Sequence, residues 1–255
     1  MDLAGALGLP LFEPNGLPLE AGAHPREQSA LIGPDPRNPR IVVAANGGSD
    51  LIYLRGPDAR ALAARLVEFL TRQDYVGALF ADDALGPIPG TLPLSTVGLK
   101  GSARTPTPSI IVSFRSFPTG CARPEVCGAE VADIELQQGQ GAHGGFGRAD
   151  THNFMAAAGP DFKQGFIDPA PVGNADVAMT AARLLGLSIP PRGRIAGRVL
   201  DESLSGGRPP SWVRRTVRSA PAANGFVTVL NVQEAEGRRY FDAAGAPGRT
   251  LGLQP

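Results

Sequence analysis

Two cysteines, three histidines, one tryptophan and no net charge set the first limits on this 255-residue chain. Twenty-four basic residues balance twenty-four acidic ones, so nothing marks a nucleic-acid surface or a polybasic membrane surface. No apolar run approaches the ~18 residues of a membrane helix. The opening stretch Met1 to Leu9 has no basic start and only a short apolar run, so it does not read as a signal peptide. No glycine-rich loop matches a P-loop or dinucleotide fingerprint, and no internal repeat is present. Cys121 and Cys127 are spaced more widely than the roughly two to four residues between cysteines of structural zinc sites. They fit either a small Pro-containing loop closed by a disulfide or two reduced loop thiols.

What the chain has in quantity is turn chemistry. Thirty-three glycines and twenty-five prolines predict long loops, while 42% hydrophobic residues suffice for a sizeable core. Residues 1–40, punctuated by seven prolines from Pro10 to Pro39 and by Gly16, read as irregular connection. Ile41 to Ala45 reads as a buried parallel strand and Leu51 to Leu54 as a short second strand. Pro57-Asp58 opens a helix with Leu62, Leu66, Phe69 and Leu70 on one face. Val76 to Ala81 and Ser109 to Phe114, the latter continuing to Phe117, are further strands. Asn174 is the expected N-cap of a helix carrying Val177, Ala181, Leu184 and Leu185 on one side. Phe226 to Leu230 and Arg238 to Phe241 suggest a late β-hairpin. Strands alternating with helices predict an α/β fold with a mainly parallel sheet flanked by helices. The expected divisions are an irregular segment 1–40, an α/β core 41–189 and a C-terminal extension 190–255.

The chemistry-bearing stretch runs from Gln137 to Pro171. It gathers His143 and His152 around Asp150, with His143 set among Gly139, Gly141, Gly144, Gly145 and Gly147. Neutral imidazole and carboxylate in a glycine-rich loop suit zinc, or alternatively manganese, better than magnesium. The apolar run Phe154 to Ala158 predicts a buried strand behind that loop. The residues alone leave open a solvated loop histidine at 143 and a strand-edge histidine at 152.

The unit Gly141-Ala142-His143-Gly144, then Phe154 to Ala158, then Gly159-Pro160-Asp161-Phe162-Lys163, resembles the C-terminal part of type I phosphodiesterase/nucleotide pyrophosphatases of the alkaline phosphatase superfamily. Asn174 to Thr180 is similar to the helix that follows in that family, and the likeness runs from about Ile41 to Leu187. The resemblance implies that His143 ligates one of two zinc ions, with Asp150 or His152 orienting it. It also implies hydrolysis of a small phosphorylated substrate or nucleotide, a periplasmic or secreted setting, and a Cys121–Cys127 disulfide.

The chain departs from that family where an Asp-His-Gly triplet is expected, about a hundred residues before His143. Ala45 and Asn46 stand in place of the Asp and His, followed by Gly47, with Asp50 nearby. No counterpart of the nucleophilic Thr or Ser is found. The expected protein is therefore an alkaline-phosphatase-like fold apparently lacking its N-terminal part. The alternative is a non-catalytic homologue that binds a phosphorylated ligand or a partner chain completing its sheet.

Overall fold

The computed structural model describes residues 1–20, 22–26, 28–100, 104–123, 127–132, 140–141, 143–190 and 197–253. By its internal contacts the chain falls into two units, Met1–His152 with Val217–Leu230 and Ala243–Pro255, and Asn153–Thr216 with Asn231–Asp242.

The first unit is built on a seven-stranded mixed sheet. Helix α1 (Asp2–Leu7) precedes β1 (Leu11–Phe12), β2 (Ala30–Ile32), β3 (Ile41–Ala45) and β4 (Ser49–Leu54). Helix α2 (Ala59–Leu70), β5 (Val76–Ala81), β6 (Leu92–Pro93) and β7 (Ile110–Phe114) follow, in sheet order β1-β2-β3-β4-β7-β5-β6. Every residue of β5 and β7 is buried, which accounts for their nearly continuous apolar character. On α2, Leu62, Ala63, Leu66, Val67 and Leu70 recur at helical spacing and join Ile52, Val43, Val112 and Leu79 in one core.

The α/β class stands, but the expected mainly parallel sheet is corrected. Five of its neighbouring pairs are antiparallel, and only β5–β6 is parallel. Only residues 46–48 separate β3 from β4, and so tight a connection admits only antiparallel pairing; a parallel return needs a crossover of about a dozen residues or more. The segment 1–40 also differs from expectation, since α1, β1 and β2 lie within it and β2 pairs with β3.

Two further short strands, β8 (Ser116–Pro118) and β9 (Gly128–Glu130), pair antiparallel. A disulfide joins Cys121 and Cys127 in the loop between them, with Cα atoms 6.5 Å apart. Helix α3 (Arg148–Thr151) is a single turn. The first unit also holds Thr228, which is fully buried. Its hydroxyl accepts from Leu79 N at 3.1 Å and donates to Gly90 O at 2.7 Å, tying two segments of the sheet region together.

The second unit contains α4 (Asn174–Leu184). Its N-cap is Gly173 rather than Asn174, and Asp176 Oδ2 accepts from Gly173 N at 2.8 Å. Its buried residues are Asp176, Thr180 and Ala182, while Val177 and Leu184 are exposed, the reverse of the expected apolar face. The reason is hydrogen bonding: Asp176 Oδ1 accepts from Arg198 N at 2.8 Å, and Thr180 Oγ1 accepts from Leu200 N at 3.0 Å. Buried Arg198 in turn donates to both carboxylate oxygens of buried Glu202, to Tyr240 Oη at 2.9 Å and to Pro171 O at 3.1 Å. Phe154 to Ala158, expected as a buried strand, forms none, and Phe154 is 92% exposed. An apolar run becomes a strand only where an open edge receives it, and no strand among the described residues pairs with this one.

The late hairpin is present as β11 (Val229–Ala235) and β12 (Arg238–Gly245), with β10 (Trp212–Arg218) beside β11. Glu236 and Gly237, at φ 49° and 72°, form the two-residue turn whose left-handed backbone matches strand twist. Among the described residues no helix is long and apolar enough to cross a membrane.

Thr228→Val keeps the shape of the side chain but strands one buried N–H and one buried carbonyl. We expect a loss of about 1–3 kcal/mol in denaturant unfolding. An unchanged unfolding midpoint would mean that the hydroxyl bridges nothing.

Candidate functional site

Two glycine turns, nearly a hundred residues apart in sequence, meet at the end of β3. The turn between β3 and β4 is closed by Asn46 N donating to Ser49 O at 2.9 Å and by Asn46 Nδ2 donating to Ser49 Oγ at 3.2 Å. Gly48 N donates to His143 O at 2.9 Å, while Gly48 O accepts from Phe114 N at 3.1 Å. The turn is thus fixed to the sheet on one side and to the His143 loop on the other. Gly47 and Gly144 have φ of 75° and 94°, where a side chain is strained. A methyl at Gly144 would lie 2.0 Å from Asn46 O, and one at Gly47 would lie 2.3 Å from His143 O. Backbone therefore packs directly on backbone, and only glycine permits it.

This contact brings Asn46 and the His143 loop together. A cavity of about 370 Å3 lies beside them, lined by Asn46, Ser49, Thr105, Thr107, Gly144 and Phe146 over apolar Leu51 and Ile111. Phe146 also packs its ring 5.0 Å from that of Phe80 on β5. The wall offers an amide and neutral hydroxyls, donors suited to an oxygen-rich group, and an apolar floor suited to an organic substituent.

The other candidates fall elsewhere. Side chains alternate along β4, so Asp50 projects with Ile52 to the α2 face, away from Ser49 and Leu51. His152 lies at the C-cap of α3 and is exposed, as is His143. Asp150 meets Glu130 of β9, a residue to which the sequence gives no pointer. A methyl at Gly145 would collide with Asp150 Oδ2 at 1.7 Å and Glu130 Oε2 at 2.4 Å, so the two carboxyl groups share the space that glycine leaves. Burial, then the hydrogen bond and negative charge of Asp150, push the Glu130 carboxyl up to about 9. Glu130 is the protonated partner, holding β9 to α3 through a carboxyl–carboxylate hydrogen bond.

Among the described residues no three His, Cys, Asp or Glu gather within reach of one metal ion. Zinc prefers four ligands in structural sites and three plus water in catalytic ones, so the described residues do not assemble a complete zinc or manganese set around His143. No protein-family model, curated protein or solved structure matches the chain.

A carboxyl whose folded pKa is raised contributes stability that is full below its unfolded value, near 4.5, and is lost as pH rises through about 9. The protein should therefore lose stability across that window, at up to about 1.4 kcal/mol per pH unit for one extra bound proton. Glu130→Gln, which keeps a donor without titrating, should flatten the profile. Thermal melts at intervals across the window test this, and an identical pH slope in the mutant would contradict the pairing.

Proposed function

We propose that this chain belongs with the metal-dependent phosphoric-ester hydrolases of the phosphodiesterase/nucleotide pyrophosphatase kind, and that its own residues hold the ester without turning it over. The observation that supports the reading is the 2.9 Å bond from Gly48 N to His143 O. It seats the G-x-H-G loop on the Asn46-Gly47-Gly48 turn, the two segments that the resemblance assigns to one metal site.

In this reading the Asn46 amide and the Thr105 and Thr107 hydroxyls bind phosphoryl oxygens, and Leu51 and Ile111 receive the organic part of a small phosphorylated molecule or nucleotide. His143 is the residue that would contribute to zinc, or to manganese in its place. Because the described ligands fall short of a full set, no catalytic step is assigned to the ion. A disulfide at Cys121–Cys127 suits a periplasmic or secreted setting.

The test combines zinc titration with a chromogenic phosphodiester assay on the purified chain. His143→Ala is expected to weaken zinc binding about ten-fold or more, and the unmodified chain is expected to show no turnover above a metal blank. Unchanged zinc affinity in the mutant would overturn the assignment of His143. Robust turnover that disappears in Asn46→Ala would overturn the non-catalytic part of the reading.

The exposed apolar run at Phe154 to Ala158, together with Ile167 at 89% exposure, favours a second chain that covers it. Light scattering should then give a mass above the 26.4 kDa of one chain. A cooperatively melting monomer at micromolar concentration would remove the partner from the account.

A further inference from the structure

The three-stranded sheet ends in an open edge. Its order is β10-β11-β12, so β10 has β11 on one side and no strand on the other among the described residues. In the second unit this edge runs from Trp212 to Thr216. A strand turns the N–H and C=O groups of alternate residues to opposite sides, so an edge leaves one such row for another chain. Edges that need only stay empty are commonly short or interrupted by proline. This strand spans seven residues, contains no proline and buries none of its side chains.

Side chains alternate along the edge and give its two faces different chemistry. Trp212, Arg214 and Thr216 share one face, Val213 and Arg215 the other. On the second face Arg215 Nε donates to Glu234 Oε2 at 2.6 Å, and Arg239 donates to the other oxygen of the same carboxylate at 3.2 Å. One glutamate thus answers two arginines. On the first face Arg214 meets the Trp212 ring, 5.1 Å from its centroid, and no carboxylate among the described residues. Val213 is 50% exposed. The edge therefore offers a row of backbone groups, a cation in want of an anion on one face, and an apolar side chain on the other.

We propose that the β10 edge receives an extended acidic segment of another protein, added as a further strand of this sheet. Its backbone pairs with the open row of β10, an acidic side chain lies beside Arg214, and an apolar one lies beside Val213. The partner segment thus alternates acidic and apolar residues. A second copy of the chain would set an arginine edge against an arginine edge, which like-charge repulsion disfavours. A nucleic-acid strand would meet Arg214 and Trp212 but would leave the backbone row and Val213 unanswered. No residue of the cavity beside His143 takes part, so the proposal is independent of the phosphoric-ester reading.

Trp212 is the chain's single tryptophan, so its fluorescence reports on this edge directly. The full chain is titrated with capped seven-residue peptides in which valine alternates with glutamate, glutamine or lysine. The glutamate peptide is expected to bind about three- to five-fold more tightly than the glutamine peptide, the scale of one exposed ion pair, with the lysine peptide weakest. Arg214→Gln should remove that preference, and Arg214→Glu should reverse it in favour of lysine. Backbone pairing is read separately, with glutamate peptides N-methylated at the odd or at the even amides. One pattern should abolish binding and the other keep it, because only one row faces β10. If the Arg214 variants do not fold, the two peptide series on the unmodified chain decide alone. Absence of saturable binding, equal affinity for glutamate and glutamine peptides, an unchanged preference in a folded Arg214→Gln, or equal behaviour of the two N-methyl patterns would each overturn the proposal. So would tighter binding of a thymidine oligonucleotide than of the glutamate peptide, or light scattering that shows the peptide displacing a second copy of the chain.

Discussion

The candidate site depends on one steric fact, that its two turns approach so closely only because glycine leaves out the Cβ that would stand between them. Gly47, Gly48, Gly144 and Gly145 supply that condition on both sides of the contact. Because the contact is backbone to backbone, it fixes the position of the loop without using the imidazole of His143, while the Asn46 amide braces its own turn through Ser49 Oγ. The same absence of Cβ at Gly145 opens the space into which Glu130 and Asp150 fit. A single glycine-rich segment thus sets both the polar wall of the cavity and the carboxyl pair behind it.

Buried charge is handled in two different ways in the two units. In the first, Glu130 keeps a proton and bonds to Asp150, so the pair carries one charge instead of two. In the second, Glu202 is held below the ordinary carboxylate range against the opposing effect of burial, because Arg198 gives it a two-pronged partner. Such a buried ion pair contributes little net stability relative to apolar packing, and its effect is to fix geometry. Beside it, the backbone N–H groups of Arg198 and Leu200 donate to Asp176 and Thr180 and hold this segment to α4.

Much of the first unit was legible because single elements follow simple periodicities. Leu62, Leu66 and Leu70 mark α2, and the nearly continuous apolar runs mark β5 and β7. Strand direction was not legible, since an apolar run looks the same in either sense and only the three-residue link at 46–48 decides it. The face of Asp50 was hidden for a related reason: it is set by the register of β4, not by closeness to Asn46 in sequence. Glu130 carries no motif, and its role appears only when β9 and the loop at Gly145 are brought together. In α4 the apolar stripe misled, because buried hydrogen bonds at Asp176 and Thr180 outweigh the burial that Val177 and Leu184 would gain. Phe154 to Ala158 shows the same limit, since hydrophobicity requests a partner without supplying one.

The most direct test of the central contact is amide hydrogen exchange at Gly48, compared between the unmodified chain and Gly144→Ala. Gly48 N is bonded to His143 O only if the two turns meet, and a methyl at 144 would drive into Asn46 O. The account predicts a protected Gly48 amide that becomes rapidly exchanging in the mutant, while amides of β5 and β7 keep their protection. A Gly48 amide that exchanges at loop rates in both proteins, or that stays protected in both, would contradict it.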